Sequence, residues 1–197
     1  MPLGYGIAHV GRLTLLAHEL ENRGFEIEFA CGEDAPSLLK KEGLSFKLLP
    51  ELPREFCEDK SQRMDVRGIY MEETVRRFVR EEVAYLKKAK PDLVIADARP
   101  TAKISTLIAK VPLVSVFNVD FSRYYDTEKA AVRFPDYWQK RLLILKKFGH
   151  LIFDSKPSHV VLRKIAPLLR DFILDRELKP FNKVMAERGM KPLNNFL

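Results

Sequence analysis

Apolar positions along this chain alternate between helical spacing and short extended runs. Leu13, Leu16, Ala17 and Leu20 recur at intervals of three and four, which predicts a helix over residues 13–23, stopped by Gly24. Residues 26–31 alternate like a strand that ends at Gly32. A short helix is expected over 35–42 before Gly43, and a further extended segment over 45–49. Residues 50–67 are polar, carry Pro50 and Pro53, and read as a long loop. A long helical pattern follows over 69–88. After Pro91, residues 92–97 read as a strand, and the continuous apolar run within it suits a strand covered on both faces. A helix over 101–109 and a second buried strand over 111–117 complete the alternation. Residues 127–197 are mainly of helical pattern, punctuated by Pro135, Pro157, Pro167 and Pro180.

Strands alternating with helices predict an α/β fold, a Rossmann-like doubly wound parallel sheet with a helical C-terminal part. With 197 residues, the chain is expected to be one domain, an α/β core over 1–125 and a helical extension over 126–197. The formal charge of +7 suits an anionic partner. Cys31 and Cys57 have no metal-ligand spacing, and no His, Cys, Asp or Glu cluster suggests a metal. The two cysteines fit a reducing, intracellular setting. No apolar run reaches the roughly 18 residues of a spanning helix, and the first residues lack a basic stretch followed by an apolar one.

In open parallel sheets, sites form outside the carboxyl ends of the strands. Two loops meet that criterion: the glycine-bearing turn Gly4-Tyr5-Gly6-Ile7-Ala8-His9, and the turn after the run 92–96, which carries Asp97. Their flanking elements are expected to be sheet neighbours. His9 can then serve as a general base, with Asp97 fixing its tautomer and stabilising the imidazolium. The competing reading is that His9 only occupies a first helical turn and that Asp97 only caps a helix. Arg12 is placed either to contact a phosphate or to be solvated. His18, His150 and His159 are read as surface or core residues. The stretch 133–148 mixes basic, aromatic and aliphatic residues. Trp138, Lys140, Arg141, Lys146 and Lys147 there are candidates for an anionic membrane surface, against the plainer reading of an amphipathic helix packed on its own domain. No nucleic-acid motif is present, and no nucleic-acid partner is expected.

Four stretches resemble the N-terminal, acceptor-binding half of GT-B glycosyltransferases, of the UDP-glucuronosyltransferase-like and MurG-like kind. They are Gly4 to Arg12, Leu16-Ala17-His18-Glu19-Leu20 through Arg23-Gly24-Phe25-Glu26-Ile27, Lys90-Pro91-Asp92-Leu93-Val94-Ile95-Ala96-Asp97, and Val111-Pro112-Leu113-Val114. The likeness covers residues 1–125. It implies an inverting transfer from a sugar nucleotide, with His9 deprotonating the acceptor hydroxyl and Asp97 orienting it. It places Gly6, Arg12, Asn118, Asp120, Arg123 and Tyr124 around the acceptor. No cofactor is implied; the sugar nucleotide is a co-substrate held mainly by a donor-binding C-terminal domain or subunit, the expected partner. A cytoplasmic protein is implied, peripheral at the inner membrane face if the acceptor is a lipid.

Three departures from the family pattern stand out. Ala8 replaces the usual glycine. The family's first strand is missing, since Met1-Pro2-Leu3 is too short for one, and Met1 is therefore expected to lie inside a longer reading frame. No donor-binding module follows, so the chain is expected to be inactive alone. The rival classes are a non-catalytic nucleotide- or metabolite-binding module and half of a GT-B-like sugar-nucleotide epimerase.

Overall fold

The computed structural model describes residues 1–2, 6–63, 70–117 and 175–194. These form a mixed α/β structure in the order α1 (Ile7–Glu21), β1 (Phe29–Cys31), α2 (Pro36–Lys41), β2 (Phe46–Leu48), α3 (Arg54–Arg63), α4 (Glu72–Ala89), β3 (Val94–Asp97), α5 (Ala102–Ala109) and β4 (Leu113–Val116), with residues 175–186 helical as well. Two strand–helix–strand units result, each with a parallel pair. Phe29 lies opposite Phe46 and Cys31 opposite Leu48; Val94 lies opposite Leu113 and Asp97 opposite Val116.

The first residues, read as too short for a strand, still pair with β3. Pro2 makes a parallel bridge to Asp97. The Met1 amine donates to the Ile95 carbonyl at 2.7 Å, and the Asp97 amide donates to the Met1 carbonyl at 3.2 Å. Met1 is buried with Ala30 of β1, Ala96 of β3, Leu49 and Leu86, so both strand pairs contribute to one apolar cluster around it.

Two expectations need correction. Residues 50–67 are not all loop, because Arg54–Arg63 is the helix α3. Its only buried apolar anchor is Cys57, so no apolar stripe announces it, and an exposed Arg54–Glu58 pair one turn apart supports it instead. The second strand is also not covered on both faces: Val114 of β4 is 46% exposed. β3 flanks β4 on one side, and among the described residues no strand pairs with its other edge.

α4 shows how the core is set. Val75, Phe78, Val79, Glu82 and Leu86 recur at three- and four-residue spacing and are all buried. Both α4 and α5 end on a left-handed lysine, Lys90 at φ 49° and Lys110 at φ 59°. Pro91 disfavours α-helical geometry at Lys90 directly, and Pro112 follows Lys110 by two residues. Val75, Val79 and Ile104 form a second cluster with Leu178, Phe181, Val184 and Met185 of the 175–186 helix. Tyr70 meets Phe181 edge-on at 5.2 Å between ring centroids. Arg76 bridges Glu72 and Glu187 at the margin of this contact, and Lys183 Nζ reaches Glu72 Oε2 at 2.6 Å.

Phe181→Ala is expected to lower stability by about 3–5 kcal/mol, the usual cost of emptying a buried aromatic site, as read by denaturant unfolding. The hydrogen bonds from Arg76 hold the carboxyls of Glu72 and Glu187 below the ordinary range, with Lys183 adding to the effect at Glu72. A depressed folded-state value means that the stabilisation is present above the unfolded carboxylate pKa and is lost as pH falls through the folded value. Melting temperature is therefore expected to fall on acidification from pH 6 to pH 3, and by less in Glu187→Gln, which lacks one of the titrating groups.

Candidate functional site

α1 starts earlier than its apolar periodicity predicts, at Ile7, with Gly6 as its N-cap. His9 thus lies in the first helical turn rather than in a loop. Its amide donates to the Gly6 carbonyl at 2.9 Å. Gly6 has φ −100° and ψ 100°, ordinary extended geometry, so its glycine is not required by a left-handed backbone. It is required by a close approach: a Cβ built on Gly6 would lie 2.4 Å from His9 Cδ2. The imidazole occupies the volume that any other side chain would fill.

The two side chains singled out by sheet geometry do meet. His9 Nδ1 is 2.7 Å from Asp97 Oδ1. Arg12, one turn along α1 from His9, donates from Nε to Asp97 Oδ2 at 2.9 Å and from a terminal nitrogen to Oδ1 at 2.8 Å. Asp97 is fully buried, His9 is 19% exposed and Arg12 38%. A fully buried carboxylate is stable only with such partners, and Asp97 has an imidazole and a two-pronged guanidinium.

The same Arg12 nitrogen lies 2.9 Å from His9 Nδ1. Arginine only donates, so a bond there would require an unprotonated Nδ1, whereas the carboxylate can only accept and requires Nδ1–H. The Asp97 contact is the shorter one, and the Arg12 nitrogen already has Oδ1 as its acceptor. We therefore assign the proton to Nδ1, which leaves the Nε2 lone pair of His9 as the basic position of the pair.

The backbone after Asp97 turns sharply. Ala98 has φ 52°, a left-handed geometry that costs a non-glycine residue roughly 1–2 kcal/mol. Its amide donates to the Val116 carbonyl at 3.3 Å. Arg99 then enters a buried polar network with Glu82, Thr101 and Ser105. Sequence reasoning missed this network, although Glu82 within the apolar stripe of α4 was the visible signal.

Of the sequence-derived candidates, His9, Asp97, Arg12 and Gly6 come together. Gly6 acts through the space it leaves, and Arg12 is directed at Asp97. Asn118, Asp120, Arg123 and Tyr124 lie outside the described residues, as do Trp138, Lys140, Arg141, Lys146 and Lys147. His150 and His159 also lie outside them. His18 is a surface residue, 3.3 Å from Glu21 and 3.2 Å from Glu42. Among the described residues, no helix is long and apolar enough to cross a membrane.

No family model matches the chain. It is a distant homologue of mycobacterial glycosyltransferases. A PGL/p-HBAD biosynthesis rhamnosyltransferase of Mycobacterium bovis is 29% identical over 130 residues, covering 66% of this chain and 27% of the relative. A PGL/p-HBAD biosynthesis glycosyltransferase of Mycobacterium tuberculosis is 27% identical over 129 residues, 66% of this chain and 28% of the relative. A Mycobacterium bovis protein named as an inactive PGL/p-HBAD biosynthesis glycosyltransferase matches at 27% identity over 129 residues, covering 33% of its length. The aligned part of this chain thus spans a third or less of these curated relatives.

Gly6→Ala is expected to push the imidazole off Asp97 while leaving α1 intact, because the clash is with the His9 side chain. A crystal structure of the variant would show the His9–Asp97 distance lengthened beyond hydrogen-bonding range and α1 unchanged.

Proposed function

We propose that this chain is the acceptor-binding part of a sugar-nucleotide-dependent glycosyltransferase, built on a Rossmann-like doubly wound parallel sheet of the GT-B N-terminal type. The observation that carries the reading is the His9–Asp97 contact at 2.7 Å, formed between a helix N-terminus and the carboxyl end of a parallel strand. The distant mycobacterial glycosyltransferases support the class.

In this reading, His9 Nε2 accepts the proton of an acceptor hydroxyl as its oxygen attacks the anomeric carbon of the sugar nucleotide. The bond from that carbon to the nucleotide's terminal phosphate oxygen breaks, the nucleotide leaves, and the sugar's configuration inverts. Asp97 holds the Nδ1–H tautomer and stabilises the imidazolium. Arg12 occupies both carboxylate oxygens and fixes Asp97's orientation. The nucleotide is bound by a donor module, on the same polypeptide or on another chain, and Asn118, Asp120, Arg123 and Tyr124 are assigned to acceptor recognition. A lipid acceptor is reached at the cytoplasmic membrane face through Trp138, Lys140, Arg141, Lys146 and Lys147. A rhamnosyl donor belongs in any panel, given the name of one relative.

A second reading, binding without turnover, is favoured by the relative named as inactive. The two separate in one experiment. The chain, purified with a donor-binding module, is assayed for transfer from a panel of sugar nucleotides, including nucleotide-activated rhamnose. His9→Ala is expected to reduce transfer by about 10²–10⁴-fold, the usual contribution of a general base. Sugar-nucleotide binding with no turnover in either protein would replace the catalytic reading with the binding one.

A further inference from the structure

Glu82 is a fully buried carboxylate in the apolar stripe of α4, and the His9–Asp97 chemistry makes no use of it. Its Oε1 accepts from Arg99 Nε at 2.8 Å and from Thr101 Oγ1 at 2.6 Å, and its Oε2 accepts from Ser105 Oγ. Arg99 in turn donates to the Pro50 carbonyl at 2.9 Å and has Glu51 at 3.8 Å. Room for Glu51 comes from Gly32 at the end of β1, where an added Cβ would lie 1.8 Å from Glu51 Oε2. Burial works against the Arg99 charge, but Glu82 and Glu51 outweigh it and push its pKa above the ordinary value.

The chain after β2 and the middle of α4 therefore converge on one guanidinium, the start of α5 joins them through Glu82, and the end of β1 leaves the space for Glu51. Only Ala98 separates that guanidinium from Asp97. Ala98 is in the left-handed geometry; the Asp97 amide donates to the Met1 carbonyl and the Ala98 amide to the Val116 carbonyl. Holding α5 on α4 does not need the network, because Val75, Val79 and Ile104 already pack together there. Apolar side chains of similar volume commonly replace a buried ion pair without loss of stability. What an apolar replacement cannot supply is a fixed direction for the chain leaving Asp97.

We propose that Arg99 and Glu82 are positioning residues that lock the Asp97–Ala98 corner, so that the Asp97 carboxylate faces His9 Nδ1. This rests on the reading of His9 and Asp97 as the reacting pair, and its test does not depend on turnover. The full chain is labelled with ¹⁵N-histidine, and the tautomer of His9 is read by long-range ¹H–¹⁵N spectra alongside thermal melting. Arg99→Lys keeps the charge but loses the planar fork that serves Glu82 and the Pro50 carbonyl from separate nitrogens. Glu82→Gln keeps the shape and removes the charge. Ser105→Ala removes a single hydroxyl.

The expected result is one Nδ1–H tautomer in the unsubstituted chain. Arg99→Lys and Glu82→Gln should shift His9 towards a mixture of tautomers, and Ser105→Ala should give a smaller shift of the same sign. If the two larger changes prevent folding, Ser105→Ala alone decides. Spectra of His9 that stay unchanged in every folded variant, with only the melting temperature lowered, would overturn the proposal and leave the network a purely structural one. In a transfer-competent assembly, Arg99→Lys should lower kcat by roughly 10–100-fold, the scale of an ångström-sized misplacement, with KM changed less than twofold. Absence of transfer would count against the glycosyltransferase reading and leave the tautomer result standing.

Discussion

The buried carboxylate of Asp97 is the constraint around which the described structure is arranged. A carboxylate removed from water is tolerated only where opposite charge and donors replace its hydration, and a lost partner leaves a penalty of several kcal/mol. α1 supplies those donors from two successive turns, His9 and Arg12. The demand of one side chain on β3 thereby fixes the rotation and height of α1 against the sheet. Val10, Leu13 and Ala17 on the same helix are buried against β1 and α2. The polar contact and the apolar face thus specify a single placement of α1, and such agreement between levels favours a unique native state.

Sequence pattern revealed most of the elements and the central pair of residues. A helical pattern located α4, a continuous apolar run located β3, and the rule that sites open at strand carboxyl ends pointed to His9 and Asp97 as neighbours. It failed where the governing interaction was neither periodic nor local. α3 is polar over most of its length and has one buried anchor, Cys57, so its pattern resembles that of a loop. The start of α1 was hidden by Gly6, whose role lies in the volume next to its Cα, a property that no propensity scale records. Arg12 was read as a ligand contact or a solvated side chain, because its acceptor lies 85 positions further along the chain.

The distant relatives and the site geometry constrain the function in different ways. Homology at 27–29% identity speaks for a class of chemistry, and the presence of a relative named as inactive shows that sequence likeness at this level does not by itself secure turnover. Geometry gives a histidine whose Nδ1 faces a buried carboxylate, the contact on which the proposed general base rests.

The bare Cα of Gly6 has a consequence for how an acceptor would meet this site. The imidazole rests in the cleft that the missing methyl leaves, and Asp97 holds its far edge, so the ring has surrendered its rotational freedom by the time the chain is folded. In the proposed transferase, an incoming hydroxyl would find the base already aimed. The entropy of immobilising that ring then belongs to folding and is absent from the encounter, so the barrier to proton removal should carry little of the unfavourable activation entropy typical of a site assembled around its ligand.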